Sequence, residues 1–167
     1  GFALDRPMSY AFRNADADEL LFIHVGDGRI DTDFGPLHYE TGDYLLIPRG
    51  TSYRLHPRAR VTEGLCIESF SELRLPDKGM LGQHALFDPA VLRVPDPALA
   101  HKLPGDRFEL RIQREGQLTH VTYPFDPLET LGWKGTLTVW QLNVRDIRPI
   151  SCDRYHLPPS AHTTFVG

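Results

Sequence analysis

Three observations make this a mostly β, antiparallel protein, built as a sandwich or barrel. The 14 Gly and 14 Pro are spread through 167 residues, which cuts the chain into short pieces and leaves little room for long helices. Apolar segments recur about every eight to twelve residues with turn chemistry between them. Phe108, Leu110 and Ile112 alternate with Glu109, Arg111 and Gln113, the period of a strand with one buried and one wet face.

The elements follow in order. Leu20 to Val25 is a continuous apolar run suited to a strand buried on both faces, and Gly26-Asp27-Gly28 turns it into a second strand, Arg29 to Asp33, as a hairpin. Leu37 to Glu40, Tyr44 to Ile47, Tyr53 to His56 and Gly64 to Phe70 continue the rhythm. Pro76 to Gly105 then reads as a long Pro-rich arm with at most a helical turn near Ala98 to His101. So long a stretch without its own structure suggests a subunit contact, crossing to a neighbour rather than folding back. Strands resume at Phe108 to Gln113, Gln117 to Tyr123, Thr136 to Val144 and Arg148 to Cys152, and Ala161 to Gly167 reads as a terminal strand.

Composition excludes several classes. Eighteen Lys and Arg against 22 Asp and Glu give a formal charge of -4, with no basic excess to neutralise a phosphate backbone, so no nucleic-acid partner is expected. No apolar run reaches the roughly 20 residues that span a bilayer, and no membrane association is expected. Cys66 and Cys152 are too few for a disulfide scaffold, which suggests a reducing, cytoplasmic setting. Residue 1 is Gly and the last segment ends apolar, so a segment of a longer protein is expected.

Gly42-Asp43-Tyr44-Leu45-Leu46-Ile47-Pro48-Arg49-Gly50-Thr51-Ser52-Tyr53 resembles the second cupin motif, with Tyr53 where that motif has a metal-binding His. A phenol with pKa near 10 is a costly substitute for imidazole. Glu19 and Gly26 keep the Glu-to-Gly spacing of the first cupin motif, but Phe12, Arg13, Asn14 and Ala15 stand where its His pair belongs. None of the eight histidines lies two or four residues from another, as ligands sharing one face of a strand would. The fold class expected is thus an all-β, antiparallel cupin-type barrel or jelly roll with few helical turns, and the barrel is expected to hold no metal. His24 reads as a core or rim histidine.

Several phrases together resemble the homogentisate 1,2-dioxygenase family. They are Phe12-Arg13-Asn14-Ala15-Asp16-Ala17-Asp18-Glu19-Leu20-Leu21-Phe22, Asp33-Phe34-Gly35, Ile47-Pro48-Arg49-Gly50 and Leu75-Pro76-Asp77 with Gly79 and Gly82. Tyr123-Pro124-Phe125-Asp126, Leu131-Gly132-Trp133-Lys134-Gly135 and Leu142-Asn143-Val144-Arg145-Asp146 complete them. The resemblance implies an amino-terminal cupin-like domain over 1–145, with its arm at 76–105, and the start of a second, catalytic cupin domain over 146–167. It also implies an Fe(II) enzyme that joins homogentisate and O2 to give maleylacetoacetate in tyrosine and phenylalanine breakdown, assembled as a homo-oligomer, a hexamer in the family. The iron ligands, two His and a carboxylate, would lie beyond residue 167, so this segment alone is expected to bind no metal and to be inactive.

The same resemblance places His156, in Tyr155-His156-Leu157-Pro158-Pro159-Ser160, as the base on the ring hydroxyl. Imidazole with a pKa near 6.5 suits that task. His162 is a second candidate with a packing role preferred. Trp133 and Trp140 read as core, Arg49 as an ion-pair residue that would also fork onto a substrate carboxylate, and Cys66 as a buried small hydrophobe. Cys152 lies near His156 in sequence and reads as a partly exposed thiol. A non-catalytic cupin-like binding or scaffold protein is the alternative, and a metal-dependent sugar isomerase of the small cupin type is disfavoured by the absent His pair.

Overall fold

A computed structural model describes residues 1–77, 80–100, 102–128, 137–151 and 157–167. Thirteen strands occur among them: β1 Phe2–Leu4, β2 Ala11–Asn14, β3 Asp18–Val25, β4 Gly28–Thr32, β5 Gly35–Tyr39, β6 Asp43–Ile47, β7 Ser52–Pro57 and β8 Thr62–Ser69. Then come β9 Ala85–Leu86, β10 Phe108–Arg114, β11 Gln117–Tyr123, β12 Trp140–Asn143 and β13 Arg148–Pro149. The described helical residues form only short 3-10 turns, so the fold is all-β and cupin-like. No described helix is long and apolar enough to cross a membrane.

Two sheets face each other. One has the order β1-β8-β3-β6-β12 and is antiparallel throughout; the other has the order β11-β10-β2-β7-β4-β5 and is mixed, because β2 and β10 run parallel. Leu21, Ile23, Leu45 and Ile47 of the first meet Ile30, Leu37, Tyr39, Tyr53 and Leu55 of the second in one core. The continuous apolar run of β3 is explained by burial on both faces. Leu21 and Ile23 point into this core, whereas Leu20 joins Leu46 and Leu73 outside the sheet, under Tyr44, Trp140 and Phe165.

The expected hairpin from β3 to β4 does not form, because the Gly26-Asp27-Gly28 turn carries the chain from the first sheet to the second. Gly26 has φ +101, and a Cβ there would come within 2.4 Å of the Val61 carbonyl oxygen, so only glycine makes this crossing without strain. Two other expectations need correction. Ala161–Gly167 is not a strand: it continues a 3-10 turn, Pro159–His162, makes an isolated bridge between Val166 and Arg74, and lays Phe165 against Tyr44 and Trp140 of the barrel. The strand expected over 148–152 is described only as the two residues of β13, and that over 136–144 only as β12.

Described parts of the arm pack on their own barrel. Arg93 and Gln141 exchange two backbone hydrogen bonds of 3.1 and 2.9 Å, the 3-10 turn Pro97–Leu99 packs on β5, and β9 pairs with β13. Asp88 and Asp96 accept from Ala90 and Ala98 N–H at 2.9 Å, which starts a turn at each Asp-Pro step.

Candidate functional site

The residues that occupy the cupin ligand positions come together at one end of the core. Glu19 on β3 is 4% exposed, Asn14 ends β2, Tyr53 is the second residue of β7, and Cys66 and Glu68 face them from β8. The Asn14 amide donates to Glu68 Oε1 at 2.6 Å, Gln113 Nε2 donates to the same oxygen at 3.1 Å, and Cys66 Sγ lies 3.7 Å from Glu19 Oε1. Glu19 Oε2 is buried and has no well-aligned partner among the described residues.

Burial pushes the Glu19 carboxyl up to about 7, and the charge of Glu68 adds to this while hydrogen bonding from Tyr53 and Asn14 opposes it. Burial, then the charge of Glu19, raises the Tyr53 phenol well above its ordinary value. Cys66, expected to be buried, is exposed as a residue, yet its Sγ turns toward Glu19. Burial of that sulfur and the charges of Glu19 and Glu68 push the thiol up to about 12, so it is a poor nucleophile.

This donor set does not suit Fe(II). It offers no imidazole, and its carboxyl, phenol and thiol are all biased toward their protonated forms, whereas metal ligands must be deprotonated. No group of three or more His, Cys, Asp or Glu among the described residues has the arrangement to hold a metal ion. The chemistry available to the cluster is retention of a proton near neutral pH.

The phrase at residues 12–22 and the aspartates at 33 and 126 do mechanical work instead. Asn14 Oδ1 accepts from Asp16 and Ala17 N–H at 2.9 and 3.0 Å. Asp16 accepts from Glu115 and Gly116 N–H at 2.7 and 3.2 Å, holding the left-handed turn between β10 and β11. Asp18 accepts from Arg49 and Leu73 N–H, both at 2.8 Å, and Asp33 accepts from Ser52 N–H at 2.7 Å. Asp126 meets Arg54 through two hydrogen bonds of 3.1 and 3.3 Å, with side chains only 6% and 4% exposed.

His156, Cys152 and Trp133 lie outside the described residues. His162 is exposed, with Nε2 3.2 Å from the Ile150 carbonyl oxygen and its ring 6.0 Å from that of His84. His24 is exposed at the end of β3, and Arg49 is exposed with its backbone, rather than its guanidinium, bound to Asp18. Trp140 is half-buried and stacks on Phe165 at 5.7 Å, in keeping with a packing role. His84 was not singled out in the sequence, where nothing but its place between Gly82 and Ala85 marks it.

The family model described as homogentisate 1,2-dioxygenase N-terminal matches residues 2–144. The chain belongs to this family. A protein of Saccharolobus solfataricus named "Putative dioxygenase" is 33% identical over 160 residues, covering 93% of this chain and 41% of that protein. Homogentisate 1,2-dioxygenases of Bradyrhizobium diazoefficiens and Rhodopseudomonas palustris are 27% and 26% identical, covering 93% and 94% of this chain and 35% of each relative. The chain thus spans between a third and about two fifths of these relatives. Within the matched region lie the fasteners Asn14, Asp16, Asp18, Asp33 and Asp126, each of which binds backbone groups or a buried cation of the fold.

Proposed function

We propose that this chain is the amino-terminal, cupin-like part of an Fe(II)-dependent ring-cleaving dioxygenase that converts homogentisate and O2 to maleylacetoacetate. The observation that carries the reading is the family match over residues 2–144. In this reading residues 1–145 form the supporting barrel and 146–167 begin the catalytic domain, whose remainder supplies the iron ligands. The donor set around Glu19 supports that division, since it does not suit Fe(II). His156 takes the proton of a ring hydroxyl, a step within the range of a neutral imidazole. The whole protein is read as a homo-oligomer, for which the exposed Leu81, Val94 and Leu99 of the arm offer apolar contact surface.

The test uses the full-length protein. Wild type should consume O2 and homogentisate one to one, with maleylacetoacetate as the product. His156→Gln should keep its iron and lose about 10²- to 10⁴-fold in kcat, the range expected for a general base. The deficit should narrow as pH rises and more substrate arrives ionised. Loss of iron on substitution would make His156 a ligand, and unchanged turnover would remove it from the chemistry.

A further inference from the structure

The two facing sheets have four edges, and among the described residues three of them are closed. β1 is only three residues long. β12 exchanges two backbone hydrogen bonds with Arg93 of the arm. β5 carries Pro36, which has no N–H to offer, and the 3-10 turn Pro97–Leu99 packs on it. The fourth edge, β11, has none of these devices. It runs for seven residues, Gln117-Leu118-Thr119-His120-Val121-Thr122-Tyr123, with no Pro, Gly, Lys, Arg, Asp or Glu among them. Residues 117–120 and Thr122 are exposed, Leu118 at 55%.

Register decides which backbone groups this edge offers. Glu115 and Gly116, with φ +52 and +71, form a two-residue turn, and Arg114 and Gln117 flank it as a hydrogen-bonded pair. The alternation of an antiparallel ladder then commits the backbone of Gln117, Thr119, Val121 and Tyr123 to β10. The N–H and C=O of Leu118, His120 and Thr122 therefore point away from the sheet. These three positions are symmetric about His120. A second β11 running antiparallel meets them as matching pairs: Leu118 with Thr122 of the second copy, His120 with its own counterpart, and Thr122 with Leu118. Charge permits the meeting as well. The nearest charges are Glu109 and Arg111 on β10, bound to each other at 2.6 Å, and Glu109 also meets His120 Nδ1 at 2.8 Å, so each copy answers its own charges.

We propose that β11 is an interface with a second copy of this chain, the two strands joined edge to edge about a two-fold axis at His120 into one continuous sheet. The proposal rests on the reading of the whole protein as a homo-oligomer, and names the edge that joins it. Backbone pairing supplies attraction, as in other strand-addition complexes, and the symmetry makes the surface complementary to itself.

The experiment uses the full-length protein. Leu118→Lys with Thr122→Lys sets like charges opposite each other at both ends of the pairing. It should halve the particle mass read by analytical ultracentrifugation and leave circular dichroism unchanged, because both side chains are exposed. Leu118→Glu with Thr122→Lys sets opposite charges there and should restore the wild-type mass. Amide exchange at Leu118, His120 and Thr122 should be slow in wild type and about tenfold or more faster in the like-charge variant, with Thr119 and Val121 unchanged. A short bismaleimide should join two copies of His120→Cys across the axis. It should not join two copies of Gln117→Cys, which the pairing holds about 20 Å apart on strands rising about 3.4 Å per residue.

An unchanged mass in the like-charge variant would overturn the β11 interface and leave the homo-oligomer to other surfaces. An opposite-charge variant that stays dissociated, or crosslinking at Gln117→Cys as ready as at His120→Cys, would overturn the pairing about His120. Should the like-charge variant lose its fold, the crosslink decides alone. A monomeric wild type would overturn the homo-oligomer reading, and this interface with it.

Discussion

On the flank of the six-stranded sheet, Asp126 lies inside the fold against Arg54, which answers its charge with two hydrogen bonds. At the mouth of the core, Glu19 is as deeply placed but faces a phenol, an amide and a thiol, none of them cationic, and burial lifts its carboxyl to about 7. The first region fastens a strand to a distant loop by charge; the second keeps a carboxyl neutral across part of the physiological range. Depth alone does not decide what a carboxylate does: the partner does.

The largest effect should come from breaking the paired region. Arg54→Ala leaves Asp126 buried without its cation and should cost about 3–5 kcal/mol in chemical denaturation. Arg54→Met with Asp126→Leu, which removes both charges and keeps volume, should recover most of that loss. If the single and double variants are equally unstable, the pair is not what joins β7 to the loop.

The unpaired region should respond to pH. Glu19 binds a proton more tightly in the folded state than in the unfolded chain, where its pKa is near 4.5, so stability falls as pH rises from about 4.5 to about 7 and then levels. Glu19→Gln removes this slope. It should be close to wild type near pH 4 and gain relative to it up to about 3 kcal/mol by pH 8. Asp33 and Asp43, whose carboxyls burial also pushes up, tilt both proteins alike and cancel in the difference. A stability difference that stays flat across this range would mean that Glu19 is ionised in the fold at neutral pH.

The smallest effect tests a carboxylate at the surface. Asp16→Ala removes the acceptor for Glu115 and Gly116 N–H and should cost about 1 kcal/mol, with faster amide exchange confined to the turn between β10 and β11.

Most of the barrel was legible because strand burial writes itself as period two or as a continuous apolar run, as in Phe108–Arg114 and Asp18–Val25. The pairing was not. Gly26-Asp27-Gly28 has hairpin chemistry, yet the chain changes sheets there, a choice made by the core on either side rather than by the turn. β2 was missed because Phe12-Arg13-Asn14 carries no alternation that stands out in four residues. Cys66 was read as buried from its apolar neighbours, but Leu65 and Ile67 are themselves about half exposed. At the candidate site, Tyr53 and Glu19 were legible from motif spacing. Asn14 was legible only as one of four residues where the His pair belongs, and Glu68 was not legible at all, since strand register alone sets it against Glu19.

The parallel contact of β2 with β10 and the antiparallel contact of β6 with β12 set the order in which the molecule can be assembled. Ala11 waits for Leu110, and Tyr44 waits for Leu142. Each sheet is therefore completed by a strand that leaves the ribosome about a hundred residues after its neighbour. Closing loops of that length carries a large entropic cost before any contact repays it, which makes folding slow for a chain of this size. Until then the apolar side of Leu20 and Leu46 stands open to solvent, and the nascent chain depends on chaperone cover or rapid completion to escape aggregation.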